Sequence, residues 1–229
     1  MKLGKITKID KPSFRHLYDD ACGTAHALDL VGERWSLLVV RELILGPRRF
    51  SDLRAGLPGI SANVLTQRLE SLELAGILFR RRLPPPAASQ VYELTPWGYE
   101  AEEPIKVLGR WAARSPNHDP SLPLSSVSLM LSLRTMFSAG RARDFAGTIG
   151  LALDGENFRV GVENGTLSGD RSDRAEGDAV LTGTAATLAA AIYGGVPFAA
   201  LEEGGALRVE GDRALAERFV SLFPLPSKA

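Results

Sequence analysis

The chain has 229 residues, 45% of them hydrophobic and 24% charged, an ordinary globular balance that excludes disordered and fibrous classes and leaves room for two domains. Lys plus Arg and Asp plus Glu each total 27, so the whole-chain charge is zero, and the single cysteine, Cys22, excludes an intrachain disulfide framework or a Cys-rich zinc module. The N-terminal stretch holds no apolar core of signal-peptide length, and the longest uncharged stretch (180–201) is too rich in Ala, Gly and Thr to span a membrane, so a reduced cytoplasmic protein with no membrane partner is expected.

In chain order, Leu28, Val31, Trp35, Leu38 and Leu45 recur at helical steps, with Gly32 dividing the stripe into two helices and Gly46-Pro47 ending the second. A short helix is expected over 50–55, then the turn Gly56-Leu57-Pro58-Gly59. Ser61 occupies an N-cap position ahead of Leu65, Leu69 and Leu72, one buried face at i, i+4 and i+7. Ala62, Asn63, Thr66, Gln67 and Glu70 then face outward with Arg68 beside them. A short helix, a tight turn and a longer helix with a polar outer face make a helix-turn-helix. Strands over 77–83 and 91–94, joined by the Pro-rich loop 84–90, form a hairpin in the place of a wing. Thr95-Pro96 opens a further helix toward Trp111, with a kink expected at Pro104.

The zero net charge conceals a division. Residues 1–118 carry 17 basic and 13 acidic side chains, a net of +4, and the remainder a net of −4. The join at 114–126 holds three prolines and four serines and cannot sustain a helix. The expected division is therefore a basic helix-turn-helix domain over 1–116, a linker over 117–127 and a second domain over 128–226.

Between Arg34 and Arg82 there are nine arginines against four acids. Such side chains neutralise phosphates and supply sequence-independent affinity for DNA. Asn and Gln near a recognition-helix N-terminus can read adenine edges and Arg can read guanine. The candidate DNA-binding residues are Arg48, Arg49, Ser61, Ala62, Asn63, Thr66, Gln67, Arg68, Arg80, Arg81 and Arg82. The competing reading is a merely solvated basic face.

The string Gly32-Glu33-Arg34-Trp35, Arg41-Glu42-Leu43, Gly46-Pro47-Arg48-Arg49-Phe50-Ser51-Asp52-Leu53 and 57–69, continuing to Tyr92-Glu93-Leu94-Thr95-Pro96-Trp97-Gly98 and Trp111, resembles the HxlR-type winged helix-turn-helix regulators over roughly 20–114. The resemblance implies a homodimeric transcription factor that binds double-stranded operator DNA as an inverted repeat, with repression the commoner outcome. The segments around 20–31 and 96–113 would pair the subunits, the helix 61–74 would enter the major groove and the hairpin would reach a flanking groove or the backbone. Two departures stand out: the wing tip lacks the basic residue common in the family, and the chain runs on for over a hundred residues. Several relatives use a cysteine at the place of Cys22 as a redox switch, whereas a lone cysteine in an apolar-rich helix is more often simply packed.

In the second half a helical run over 125–143 precedes an alternating strand ending at Leu153, the turn Asp154-Gly155, a second strand from Phe158 to Val162 and, after Asn164-Gly165, a third over 166–171. A strand at 179–181, a helix capped by Thr184, a helical turn at 198–203, a strand at 207–209 and a helix capped by Asp212 complete an α+β fold. The aliphatic and glycine spacing of 178–223 resembles sterol-carrier-protein-like domains, which implies an α/β sandwich around an apolar tunnel. Leu188, Ile192, Tyr193, Phe198 and Phe219 are the candidate lining for a small hydrophobic effector, against a filled core as the alternative.

No phosphate loop, dinucleotide fingerprint or nucleophile elbow is present, and His16, His26 and His118 are dispersed, so neither a catalytic site, a metal site nor a cofactor is expected. The leading reading is an effector-modulated DNA-binding regulator. The rivals are redox sensing through Cys22 and a hydrophobic-molecule carrier whose helical half only dimerises.

Overall fold

A computed structural model describes residues 17–84 and 89–229. The N-terminal lysines and the tip of the expected wing (85–88) lie outside the described residues. The chain is a two-domain α+β protein, and the first domain begins with α1 (Gly23–Val31) and α2 (Ser36–Leu43). Between them Trp35 adopts φ 80°, a left-handed conformation that is costly for a bulky side chain. That turn keeps the indole inward, with the Arg34 guanidinium 5.3 Å from its ring centroid.

Next come α3 (Phe50–Gly56) and α4 (Ala62–Leu74). Gly59, at φ 89°, supplies the backbone turn between them that residues with a Cβ rarely adopt. Leu65, Leu69 and Leu72 of α4 are fully buried, each worth about 1.5–3 kcal/mol relative to exposure. Strands β1 (Leu78–Arg82) and β2 (Gln90–Leu94) pair antiparallel, and Arg48 adds a one-residue bridge to Tyr92 on the outer side of β2.

Thr95 caps α5 (Pro96–Tyr99), which is followed by α6 (Glu102–Ala113). The expected kink at Pro104 is instead a break at Glu100 and Ala101. Proline crowds the carbonyl four residues before it, so the chain leaves the helix there and Pro104 settles in the first turn of α6, where its missing N–H is no loss.

The second domain begins at α7 (Ser126–Met136), after a stretch 114–125 without helix or strand. Strands β3 (Gly147–Leu153), β4 (Glu156–Glu163) and β5 (Thr166–Arg171) form a meander. Its two turns, Asp154-Gly155 and Asn164-Gly165, hold both residues at positive φ, the twist that suits a two-residue hairpin. β6 (Ala179–Gly183) joins β3 in parallel and β7 (Leu207–Gly211) lies antiparallel on β6, giving the order β5-β4-β3-β6-β7. Helices α8 (Ala185–Gly194), α9 (Phe198–Glu203) and α10 (Arg213–Val220) complete the domain. Phe158, Val160 and Val162 turn to the core while Arg159 and Glu163 face solvent, the alternation of a half-buried strand. Phe145, Phe219 and Phe223 form an aromatic cluster with ring centroids 6.3 and 5.0 Å apart, on Phe219 as the middle ring.

One buried hydrophobic cluster runs through both domains, and polar bonds join them as well. Arg134 of α7 donates to Glu102 at 2.9 Å, Ser125 to Glu42 at 2.7 Å, Arg171 to the Leu45 carbonyl at 3.1 Å and Arg110 to the Thr135 carbonyl. Among the described residues no helix is long and apolar enough to cross a membrane, and no group of three metal-ligating side chains occurs.

Candidate nucleic-acid interface

The outer surface of α4 is set by its cap and by its buried face. Ser61 Oγ accepts the Val64 N–H at 3.2 Å, which fixes where the helix starts and contributes about 1 kcal/mol. With Leu65, Leu69 and Leu72 buried, Asn63, Thr66, Gln67 and Glu70 are exposed on the opposite side and Ala62 is half-buried beside them. The Thr66 hydroxyl returns to the Ala62 carbonyl at 3.0 Å, so it presents its methyl outward, while the amides of Asn63 and Gln67 make no hydrogen bond among the described residues. One helical face thus presents two uncommitted amides and a methyl, the groups that read an adenine edge and a thymine methyl.

The arginines divide into three groups. Arg49 and Arg82 are exposed and enter no ion pair among the described residues, as does Arg54 of α3, which the sequence reading counted but did not place in the site. Arg80 and Arg81 are partly neutralised: Arg80 Nε reaches Glu73 at 3.1 Å, a bond that raises its pKa above the ordinary guanidinium value, and Arg81 pairs with Glu93 across the hairpin. Arg68 is turned back to Glu33 at 3.2 Å with its side chain only 16% exposed, and so ties α4 to the turn before α2.

Arg48 departs from the expectation of a DNA contact. Its side chain is 10% exposed and donates Nη2 to Glu156 of β4 at 3.0 Å, with the fully buried Glu42 3.9 Å away. The bridge to Tyr92 points its side chain inward to the second domain, whereas Arg49, one residue on, points out.

The effector residues also part company. Leu188 and Phe219 are fully buried and Phe198 nearly so, within the core of the second domain, and Ile192 packs half-buried against it. Tyr193 lines a cleft of about 670 Å³ between the two domains. There its hydroxyl lies 2.6 Å from Ser132 Oγ, and burial pushes its pKa up to about 12. No sequence signal marks this cleft, because its walls come from elements far apart in the chain.

Cys22 stands exposed at the N-cap of α1. The backbone N–H of Ala25, then that of Thr24 and the Thr24 hydroxyl, hold its thiol below the ordinary value.

Comparison with known proteins follows the same division. The HxlR-like helix-turn-helix family matches residues 30–120, and the alkyl sulfatase C-terminal family matches residues 130–229. The chain is similar to the HTH-type transcriptional regulator YvaP of Bacillus subtilis, 36% identical over 86 residues, which cover 38% of this chain and 80% of that protein. It is also similar to the HTH-type transcriptional regulator YtfH of Escherichia coli, 35% identical over 96 residues, or 42% of this chain and 76% of that protein. Among solved structures, the reduced form of the transcriptional regulator YodB from B. subtilis is 31% identical, with a TM-score of 0.39, covering 43% of this chain and 98% of that one.

Proposed function

We propose, from the premise that this chain belongs to the HxlR-like helix-turn-helix family, that it is a homodimeric regulator whose α4 reads an inverted-repeat operator and whose second domain adjusts that binding in response to a small hydrophobic effector. The observation that carries the reading is the outer face of α4, where Asn63 and Gln67 stand exposed and uncommitted, with Arg49 at the start of α3 and Arg54 within it also exposed. In this reading Ser61, Ala62, Asn63, Thr66 and Gln67 face the major groove, Arg49, Arg54 and Arg82 meet phosphates, and Arg80 and Arg81 serve the wing while still paired to Glu73 and Glu93. Arg68 acts by positioning α4 through Glu33. Two half-sites about one helical turn apart suit a two-fold dimer.

A dimer is favoured by unpartnered apolar side chains on α6. Val107 is 62% and Trp111 70% exposed, four residues apart and so on one helical face. Repression is the favoured sign, since an operator-bound dimer blocks polymerase without further contacts.

The test is selection of genomic DNA fragments by the purified protein at near-physiological salt. Enrichment of an inverted repeat supports the reading. A protein that enriches nothing, or binds DNA with no salt dependence, is not this regulator, because phosphate contacts release counterions.

One observation favours a second reading. The lowered thiol pKa of exposed Cys22 raises its thiolate fraction, the form that oxidants attack. If Cys22 senses oxidants, Cys22→Ser abolishes the response of operator binding to peroxide and leaves binding itself unchanged.

A further inference from the structure

We infer that the cleft between the two domains is the binding site for a small, mostly hydrocarbon molecule carrying one hydrogen-bond-accepting oxygen. This deepens the effector part of the reading above and moves the site out of the second domain's interior. At about 670 Å³ the cleft has the size of sites that enclose drug-sized ligands. Its walls are Leu37 of α2, Ile105 and Ala112 of α6, Leu131 of α7, Ala189 of α8 and Leu225, so both domains contribute.

Polar side chains line the cleft from the linker, at Asn117, His118 and Asp119, and from the walls of the two domains. Ser132 and Tyr193 share one hydrogen bond at 2.6 Å, which occupies one hydroxyl proton and leaves the other to donate. The phenol is protonated throughout the physiological range, as any tyrosine with a pKa at or above 10 is, and burial raises its pKa further, so it offers an O–H to an oxygen acceptor. Across the cleft, Arg41 gives Nε and Nη2 to Glu42 Oε1, at 3.2 and 2.9 Å, and keeps Nη1 for another acceptor. With donors on both walls, and the lining carboxylate of Asp119 tied through Oδ1 to the Ser121 N–H and hydroxyl at 2.9 and 2.6 Å, the cleft suits a carbonyl, ether or carboxylate oxygen on an apolar body.

The helical wheel of α6 separates this site from the dimer face. Ile105, Gly109 and Ala112 line the cleft, while Val107 and Trp111 project about half a turn away on the exposed side. A second copy seated on Val107 and Trp111 therefore leaves the cleft open to a small molecule. An occupant there touches both domains and can alter operator affinity by changing how they sit together, provided it binds the two arrangements unequally.

The probe is 8-anilinonaphthalene-1-sulfonate, an aromatic body with acceptor oxygens, titrated into the full chain without DNA and followed by fluorescence. One saturable site per chain is expected. Gly109→Phe fills the cleft from α6, where nothing lies within 4 Å of an added Cβ, and should weaken binding at least tenfold. Ala112→Trp, from an exposed position, provides a second filler should the first not fold. Removing both hydroxyls, by Tyr193→Phe with Ser132→Ala, should weaken binding about fivefold, as loss of one ordinary hydrogen bond does. Val107→Ser, on the opposite face, should leave binding unchanged. Absence of saturable binding, or affinity that ignores both fillers, overturns the inference, as does a loss confined to Val107→Ser. Because no DNA is present, failure here is distinct from failure of operator binding.

Discussion

Arg48 and Glu156 form a joint between the domains, with Arg48 Nη2 donating to Glu156 Oε2 at 3.0 Å across 108 residues of chain. Glu42 lies fully buried beneath the pair and accepts from Ser125, and Arg171 approaches Glu156 at 3.7 Å while donating to the Leu45 carbonyl. Glu42 Oε2, Arg48 Nε and Arg171 Nη2 are buried with no hydrogen-bond partner among the described residues, so the joint holds its charges chiefly through one another. Burial, then the nearby Arg48, lowers the pKa of Arg171, which marks how closely two cations are held there.

That arrangement sets the first prediction. Removing one partner of a fully buried ion pair costs about 3–5 kcal/mol, and because Glu156 is a quarter exposed, Glu156→Ala should cost about 2 kcal/mol. The midpoint of urea unfolding measures it, and a change below about 0.5 kcal/mol, the level of a neutral surface substitution, refutes the joint. Glu156→Gln, which keeps an acceptor, should lose less than the alanine variant.

Base-reading and phosphate-binding residues on the proposed DNA face respond differently to salt. Arg49→Ala should weaken binding to operator and to unrelated duplex alike and reduce the slope of log affinity against log salt by about 0.9. Asn63→Ala or Gln67→Ala should leave that slope unchanged and reduce discrimination between operator and unrelated duplex by about 1–3 kcal/mol. Arg48→Ala should not alter the slope, since its guanidinium meets Glu156. A slope change in Arg48→Ala equal to that in Arg49→Ala would return Arg48 to the DNA surface.

The contrast between Arg48 and Arg49 shows where sequence reading reaches and where it stops. Helix periods, Ser61, Thr95, Thr184 and Asp212 as caps, and the Asp-Gly and Asn-Gly turns were legible, because each depends on neighbours within a few residues. The polar face of α4 was legible because burial of Leu65, Leu69 and Leu72 determines it. Direction was not legible for adjacent arginines, since the partner that turns Arg48 inward lies in another domain. For the same reason the cleft between the domains was not legible: Leu188 and Phe219 are fully buried within the second domain, whereas Tyr193 lines a cleft whose other walls come from α2, α6 and α7. Pro104 was read as a kink by its ring alone, without the freedom of the chain to break at Glu100 and Ala101 before it.

Trp111 carries the prediction for assembly. A large, exposed indole beside Val107 at the centre of a dimer interface should behave as a hot spot, worth about 2 kcal/mol or more when truncated. Trp111→Ala should therefore raise the dimer dissociation constant about thirtyfold or more, as read by sedimentation equilibrium. Operator affinity should fall with it, because a monomer engages one half-site. A variant with unchanged mass distribution would place the subunit interface elsewhere.

Tyr193 ties stability to alkaline pH, with a definite sign. Its folded pKa of about 12 lies above the ordinary phenol value of 10, so the unfolded chain gives up the proton first. The contribution is fully present below pH 10 and declines as pH rises through 10 to 12, by about 2–3 kcal/mol at about 1.4 kcal/mol per pKa unit. Other groups titrate in that range, so the comparison is with Tyr193→Phe. That variant should be less stable by about 1 kcal/mol at pH 8, having lost the bond to Ser132, yet should lose less stability than the parent between pH 10 and pH 11.5. Unfolding free energies in urea at the three pH values test this. Parallel losses in the two proteins would mean that the phenol titrates near its ordinary value, as it would if water reached freely into the cleft beside Ser132.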